Sequence, residues 1–306
     1  MWVGMVGVIL IGAALRLFAL DQVPAGLSHD EAYIGVTALE VWLLGRREVF
    51  FDIYNGIEPL IVYWQALYLS LFGITPVAMR LVNATAGLLT IPLTFTFTRR
   101  LMAHLRPQSA RWVAFLAALG VSLSFWAVFV SRLALRAVTL PLLELLAFYF
   151  LWLGLVADEA DGRPACTRRL AYLALGGAWL GVAMYTYLSS RFLPFVPLLF
   201  FAYLVLRRQV RREHWLGMAL FFAAWALVFA PLAVYYLDHP DVFGRRAGQV
   251  LNLPVALAGD PRPFFTDTLR VLGMYTVVGA DTSRYGLAGR PLFDPLGVVL
   301  FCTGLI

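Results

Sequence analysis

Two adjacent carboxylates, Asp30 and Glu31, follow directly on the first apolar segment of the chain. Ser28 stands three residues before Glu31, a spacing typical of a capping box at the start of a helix. Asp30 falls in the first turn of the same predicted helix, where a negative charge suits the helix dipole. Because a cap fixes where the neighbouring carboxylate points, capping by Glu31 is compatible with general-base chemistry by Asp30.

Arginine and tyrosine side chains recur where later apolar segments end, and all 24 basic residues are arginine. A guanidinium group binds phosphate or carboxylate oxygens through two parallel hydrogen bonds, so these residues could hold a phosphate beside the acid. Arginines at a membrane boundary also extend to lipid headgroups, and this alternative stays open. The candidate binding residues are Glu58, Arg80, Arg132, Arg136, Tyr187, Arg191 and Arg245.

The composition places the chain among membrane proteins. Of its 306 residues, 61% are hydrophobic and only 14% are charged, against about 25% charged in ordinary soluble domains. The net charge of +6 does not indicate nucleic-acid binding, because most arginines lie in short loops between apolar segments. The two cysteines, Cys166 and Cys302, are far apart and form neither a disulfide framework nor a metal-binding spacing.

Apolar runs of about 20 residues predict membrane-crossing helices. The first run lacks a basic N-terminal region and a cleavage pattern, and Arg16 interrupts it, so we expect an uncleaved span. The last run is too short to cross, so we expect the single domain 1–306 to be truncated at its C-terminus. The predicted spans lie near 3–20, 77–98, 110–130, 137–156, 169–187, 190–206 and 214–236, with an eighth beginning near 295.

The arginine distribution predicts the orientation of these spans. If the apolar helix near 57–72 does not cross, eleven arginines face the cytoplasm together. If it crosses, all of them face outward, so we expect this helix to lie on the outer surface. The eleven are Arg99, Arg100, Arg106, Arg111, Arg163, Arg168, Arg169, Arg207, Arg208, Arg211 and Arg212.

The resulting fold class is an all-α, polytopic transmembrane helical bundle with two large extracytoplasmic loops that carry surface helices. The first outer loop, 21–76, contains predicted helices near 30–44 and 57–72. The second, 237–294, is rich in proline, glycine, aspartate and arginine. A long structured loop is more often functional than decorative.

The order of several short motifs resembles the GT-C superfamily of membrane glycosyltransferases, within it the branch of protein O-mannosyltransferases and lipid A aminoarabinose transferases. The resemblance covers most of the chain. Its motifs are Leu15-Arg16-Leu17, Pro24-x-Gly26-Leu27-x-x-Asp30-Glu31-Ala32, Glu58-Pro59-Leu60-x-x-Tyr63, Leu71-Phe72-Gly73, Arg80-Leu81, Ser131-Arg132 and Tyr185-x-Tyr187-x-x-x-Arg191.

The resemblance implies an enzyme that takes a sugar from a polyprenyl-phosphate donor at the extracytoplasmic face and passes it to a lipid, glycan or protein acceptor. Asp30 and Glu31 match the family's catalytic acid pair. Asp30 would deprotonate the acceptor hydroxyl, inversion would follow from in-line attack, and Arg132, Arg136 and Arg191 would hold the leaving phosphate.

One departure concerns metals. Relatives often carry an acid shortly after the Ser-Arg turn, but here no Asp or Glu follows Ser131 until Glu144. The sequence therefore disfavours a metal-dependent mechanism like that of oligosaccharyltransferases but leaves a divalent metal open, and it identifies no other cofactor.

Two alternatives from other classes remain at this point. A non-catalytic carrier or flippase for polyprenyl-phosphate lipids would need an arginine-lined cavity but no positioned acid. A structural membrane subunit would need neither. For each, the expected location is an integral, multi-pass position in the lipid bilayer, most simply a bacterial plasma membrane with the site facing outward.

Overall fold

The computed structural model describes residues 1–53, 56–156, 166–210, 212–250, 259–279 and 287–304. Within these ranges the regular structure is helical apart from an isolated bridge between Phe51 and Ile57, which confirms the predicted all-α class. Two 3-10 helices cover Arg136–Thr139 and Leu188–Phe192. The α-helices are α1 (Trp2–Leu17), α2 (His29–Leu44), α3 (Leu60–Phe72), α4 (Pro76–Leu105), α5 (Ala110–Leu123), α6 (Phe125–Ser131), α7 (Leu140–Val156), α8 (Cys166–Ala183), α9 (Phe195–Leu206), α10 (Arg212–Asp238), α11 (Pro240–Val250), α12 (Arg262–Met274) and α13 (Pro295–Gly304).

Several of these helices are long and apolar enough to cross a membrane. In the described ranges four pass this test, or up to five if the bent pair α5 and α6 counts as one span. The four segments are Pro76–Leu105, Arg136–Leu155, Leu188–Leu206 and Arg212–Asp238. The predicted orientation, with arginine-rich loops in the cytoplasm, stays a prediction. The predicted inner loop at 157–165 lies outside the described residues.

Helix α4 is the centre of the N-terminal half, because it packs against α1, α3, α5 and α7. One apolar core joins α2, α3 and α4 and includes Ile34, Ile61 and Val82. A second joins α1, α4 and α5 around Ile91. A third holds α7, α8, α9 and α10 together around Phe221. The helices that form these cores bury one face against a neighbour and leave other apolar side chains exposed.

The predicted span 110–130 is broken. Helices α5 and α6 meet at Ser124 with a bend of 55°, where the backbone leaves the helical region (ψ 119°) and the Ser124 side chain accepts a hydrogen bond from the amide of Ala127. The released carbonyls of Val121 and Ser122 accept hydrogen bonds from the Arg16 guanidinium at 3.0 and 3.2 Å. Because the orphan carbonyls have a donor, the break is tolerated inside the bundle.

The two helices predicted in the first loop are present as α2 and α3. Helix α2 begins with the predicted capping box, in which Ser28 and Glu31 cap each other's backbone amides. It ends at Gly45, whose left-handed conformation (φ 69°) suits glycine. Within the second predicted loop the structure describes α11 and α12, while 251–258 and 280–286 lie outside the described residues.

A buried ion pair between Glu31 and Arg80 joins the start of α2 to α4. Both side chains are 1% exposed, and the Nε of Arg80 lies 3.3 Å from a Glu31 oxygen. The same oxygen accepts from the amide of Ala134 at 2.9 Å, and the other accepts from the amide of Ser28. Glu31 thus ties the start of α2 both to α4 and to the turn after α6.

The rest of the Arg80 guanidinium holds the loop between α1 and α2. Its Nη1 donates to the carbonyls of Leu20 and Pro24 at 3.1 and 2.9 Å, and its Nη2 donates to the carbonyl of Gly26. Arg132 binds the same loop from the other side. Its nitrogens donate to the carbonyls of Leu15, Phe18, Ala19 and Val23 at 2.7 to 3.1 Å.

We expect Glu31→Gln to lower the free energy of unfolding by about 3–5 kcal/mol, because it leaves the buried Arg80 charge without its partner. Unfolding of the detergent-solubilised protein, followed by tryptophan fluorescence, measures this loss. The matched control is Glu40→Gln on the same helix, whose ion pair with Arg46 is about one-third exposed and is worth at most about 1 kcal/mol. Equal losses of unfolding free energy in the two variants would contradict a special role for the buried Glu31–Arg80 ion pair.

Candidate functional site

A cavity of about 480 Å³ opens where α2, the 3-10 helix at Arg136–Thr139 and the break between α5 and α6 come together. This size suits a small molecule or a lipid headgroup. Of the predicted site residues, Asp30, Arg136 and Tyr187 line it. Most of the remaining wall is apolar and includes Val121, Trp126, Ala127, Val130 and Leu135. The cavity therefore combines a small polar group with an extended apolar surface.

Asp30 lies in the first turn of α2 and is partly exposed to the cavity. The capping box sets the direction of Asp30. Glu31 turns toward the protein interior, and Asp30, one residue earlier, points to a different side of the helix. His29 and Tyr33 line the cavity beside it, and their rings stack with centroids 6.3 Å apart. A carboxylate so placed can accept a proton from a hydroxyl bound in the cavity.

Glu31 is placed differently from Asp30. Its oxygens are occupied by Ser28, Arg80 and Ala134, and its side chain is buried. These contacts support a positioning role, in which Glu31 holds the turn that carries Asp30. A direct part for Glu31 in the chemistry stays a prediction.

Arg136 and Tyr187 on the cavity wall form one polar group with Glu58, which is buried and does not itself line the cavity. The Arg136 Nη1 donates to Glu58 at 2.8 Å and to the carbonyl of Gly56 at 2.5 Å, and the guanidinium lies 5.2 Å from the centre of the Tyr187 ring. Burial raises the pKa of the Glu58 carboxyl, although the positive charges of Arg136 and Arg191 lower it. The contacts fix Arg136 against the wall with part of its surface open to a ligand.

Arg80 and Arg132 do not join this group. Their guanidinium groups donate to backbone carbonyls of the loop between α1 and α2, as described above, and both side chains are buried. They build the loop that precedes Asp30. Phosphate binding by either residue stays a prediction.

Arg191 and Arg245 form contacts with α10, α11 and the first loop instead of lining the cavity. Arg191 donates to the Phe243 carbonyl at 2.6 Å and to the Tyr236 hydroxyl at 3.1 Å, and it lies 4.3 Å from the Phe243 ring centre. Arg245 bridges Asp52 and Asp241 at 2.6 and 2.8 Å. The Arg245–Asp52 pair joins α11 to the first loop, and Arg191 joins the 3-10 helix at Leu188–Phe192 to α10 and α11. Direct contact with a substrate stays a prediction for both arginines.

Some cavity residues escaped the sequence analysis. Trp126, Thr90 and Pro141 carry no chemical signal at their positions, and tertiary packing alone brings α4, α6 and α7 together at the cavity. Arg16 was noticed as an interruption of the first span, and a charge in an otherwise apolar helix was the available signal. It lines the same cavity.

A search among solved structures finds an oligosaccharyltransferase from Archaeoglobus fulgidus, crystallised while tethered through a disulfide bond to an acceptor peptide containing the NVT sequon. The match has a TM-score of 0.59 at 15% sequence identity and covers 94% of this chain. The fold is GT-C-like. This chain spans 40% of the length of that neighbour. No protein-family model matches the sequence, and no curated protein matches it.

The neighbour confirms the predicted GT-C-like fold class, whereas membership of the superfamily and of the branch within it stays a prediction. Among the described residues, no group of three His, Cys, Asp or Glu side chains is placed so that it could hold a metal ion.

We expect Leu135→Cys to react with a small methanethiosulfonate reagent, because Leu135 lines the cavity. The preceding residue provides the control. Ala134→Cys should react far more slowly, since Ala134 is fully buried in the core between α2, α3 and α4. Both variants are made in a Cys166→Ser, Cys302→Ser background and followed by mass spectrometry. Equal modification rates at positions 134 and 135 would contradict the placement of Leu135 on the cavity wall and of Ala134 in the core.

Proposed function

We propose that the protein is a membrane glycosyltransferase that moves a sugar from a polyprenyl-phosphate donor to an acceptor hydroxyl. The observation that carries this proposal is the shared cavity of Asp30, Arg136 and Tyr187, which places one acid and one cation beside an apolar wall. A sugar joined to a lipid by phosphate is likewise divided into a polar part, the sugar and the phosphate, and an apolar part, the lipid chain. The GT-C-like fold, shared with an oligosaccharyltransferase, supports sugar transfer as the reaction class.

In the proposed reaction, Asp30 takes the proton from the acceptor hydroxyl as the oxygen attacks the anomeric carbon. The bond between that carbon and the phosphate oxygen breaks, and its electron pair leaves with the polyprenyl phosphate. In-line attack inverts the anomeric centre. The new glycosidic bond and the free lipid phosphate are the products, and the proton held by Asp30 passes to solvent.

Arg136 is the predicted phosphate ligand that lines the cavity, and we propose that it stabilises the charge developing on the leaving group. Its ion pair with Glu58 and its contact with the Tyr187 ring hold it in place before substrate arrives. Such preorganisation avoids reorientation during the reaction. Tyr187 offers a ring and a hydroxyl to the sugar on the same wall.

The acceptor is a lipid, glycan or protein hydroxyl, and the site faces away from the cytoplasm of a bacterial plasma membrane. These parts of the proposal come from the resemblance to the O-mannosyltransferase and aminoarabinose transferase branch and from the arginine distribution. The apolar wall also suits a non-catalytic carrier of polyprenyl-phosphate lipids, which is the second candidate function.

Sugar transfer in detergent separates the two candidates. An enzyme releases free undecaprenyl phosphate from labelled undecaprenyl-phosphate mannose, glucose or aminoarabinose when an acceptor is supplied. A carrier needs two compartments and releases none. Because binding alone yields no product, this assay tests the reaction directly.

We expect Asp30→Asn to lower the transfer rate by ~10²–10⁴-fold, since the amide cannot accept the hydroxyl proton. Binding of the donor should be retained. The matched control is Asp21→Asn, an exposed acid in the same loop, which should transfer at the wild-type rate. Wild-type turnover in Asp30→Asn would show that this carboxylate is not the base.

We expect Arg136→Gln to lower kcat by ~10²–10³-fold, because it removes a donor aimed at developing negative charge. Single-turnover measurements with saturating donor report this step. Arg46→Gln is the control, since Arg46 pairs with Glu40 and Glu48 and does not line the cavity. A change in KM with kcat preserved would mean that Arg136 contributes to ground-state binding alone.

A further inference from the structure

Arg16 is a buried cation in the wall of the cavity. It lies near the end of α1, its side chain is 1% exposed, and it belongs to the same cavity as Asp30 and Arg136. Arginine is costly within an apolar helix and usually marks a functional position there. The reaction described above leaves Arg16 without a role.

Its hydrogen bonds are incomplete. The Nη1 donates to the carbonyls of Gly12 and Ser122, and the Nη2 donates to the carbonyl of Val121. A guanidinium group has five N–H donors, so two remain. One of them is on Nε, which is buried without a hydrogen-bond partner.

Its charge is also uncompensated. In the part of the chain that the structure describes, Arg16 forms no ion pair. The other arginine of the cavity, Arg136, is paired with Glu58. Neutral carbonyls satisfy N–H groups but leave the net charge, and an isolated buried charge is destabilising by several kcal/mol. A bound anion would remove that penalty.

The surroundings of Arg16 indicate what kind of anion fits. Glycine is required at position 87, because a Cβ there would lie 2.2 Å from the Ser131 Oγ and 3.2 Å from the Arg16 Nε. Gly87, Val121 and Ser131 line the cavity around Arg16, next to the break between α5 and α6. Trp126 and Val130 continue this wall on α6 as an apolar surface.

We infer that Arg16 binds the phosphate of a lipid-linked substrate, with its apolar chain leaving along α6 past Trp126. This inference rests on the proposed function and names a phosphate ligand that the sequence motifs did not assign. The phosphate would lie between Arg16 on α1 and the side chains of Asp30, Arg136 and Tyr187. The sugar would then lie at the polar side chains, the phosphate at Arg16 and the apolar chain along the apolar surface of α6.

The experiment measures lipid binding without turnover. The protein is reconstituted in phosphatidylcholine nanodiscs, and dissociation constants are measured for undecaprenyl phosphate and for uncharged undecaprenol. Wild type should prefer the phosphate by about 10- to 100-fold, as expected for charge-assisted hydrogen bonds. Arg16→Gln should lose most of that preference, and Arg16→Lys, which keeps the charge, should retain part of it. Equal wild-type affinities for the two lipids would overturn the inference.

Arg46→Gln is the control, because Arg46 pairs with Glu40 and Glu48 and does not line the cavity. Its variant should keep the phosphate preference. Loss of the preference in Arg46→Gln with retention in Arg16→Gln would overturn the inference. If Arg16→Gln does not fold, Arg16→Lys takes its place, and an unchanged phosphate preference in that variant would overturn the inference.

Two further arms identify the source of the anion. Inorganic phosphate at millimolar concentration and phosphatidylglycerol in the nanodisc should not displace undecaprenyl phosphate. Displacement by either one would show a general anion site and would overturn the assignment to a lipid-linked substrate. Failure of the proposed function is seen separately, since Asp30→Asn and wild type should bind undecaprenyl phosphate equally whether or not transfer occurs.

Discussion

The buried ion pair between Glu31 and Arg80 is the interaction on which the arrangement of the cavity depends. It holds the start of α2 against α4, and through the amide of Ala134 it holds the turn after α6 as well. Asp30 and Arg136 lie on these two segments. A buried pair is weak evidence for stability in itself, because desolvation offsets much of the attraction. Here its value is geometric, since it sets the position of the acid relative to the cation.

Arginine has a second use in this fold. It donates hydrogen bonds to backbone carbonyls at places where the chain leaves a helix inside apolar surroundings. Arg16 does so at the end of α5, and Arg80 and Arg132 do so along the loop after α1. A planar group with several fixed donors can bridge carbonyls from different segments, which a single ammonium does less well. The absence of lysine from the sequence therefore has a structural consequence, whatever its origin in the genome.

The sequence predicted the elements well but not the contacts among the charged residues. Hydrophobic runs and the Ser28 cap placed α2 and α3 within three residues of their observed bounds, because these signals are local, whereas α4 continues seven residues past its predicted end at 98. The break at Ser124 was missed, since serine in an apolar run gives no strong stop signal and the carbonyls are satisfied by Arg16, more than 100 residues away. For the same reason, motif order grouped Arg132 and Arg191 with Arg136, although only tertiary packing decides which guanidinium reaches a cavity.

The distribution of charge around the cavity constrains how any amphiphilic ligand can lie in it. The Arg136 charge is offset in part by Glu58, so Arg136 attracts an anion less strongly than an unpaired arginine does. Arg16 has no such offset among the described residues, and its neighbours on α5 and α6 are apolar. An anionic group placed at Arg16 gains attraction, whereas one placed beside Asp30 meets a carboxylate. A ligand with a single phosphate between a polar and an apolar part is therefore held in one direction, with its polar part toward the acid.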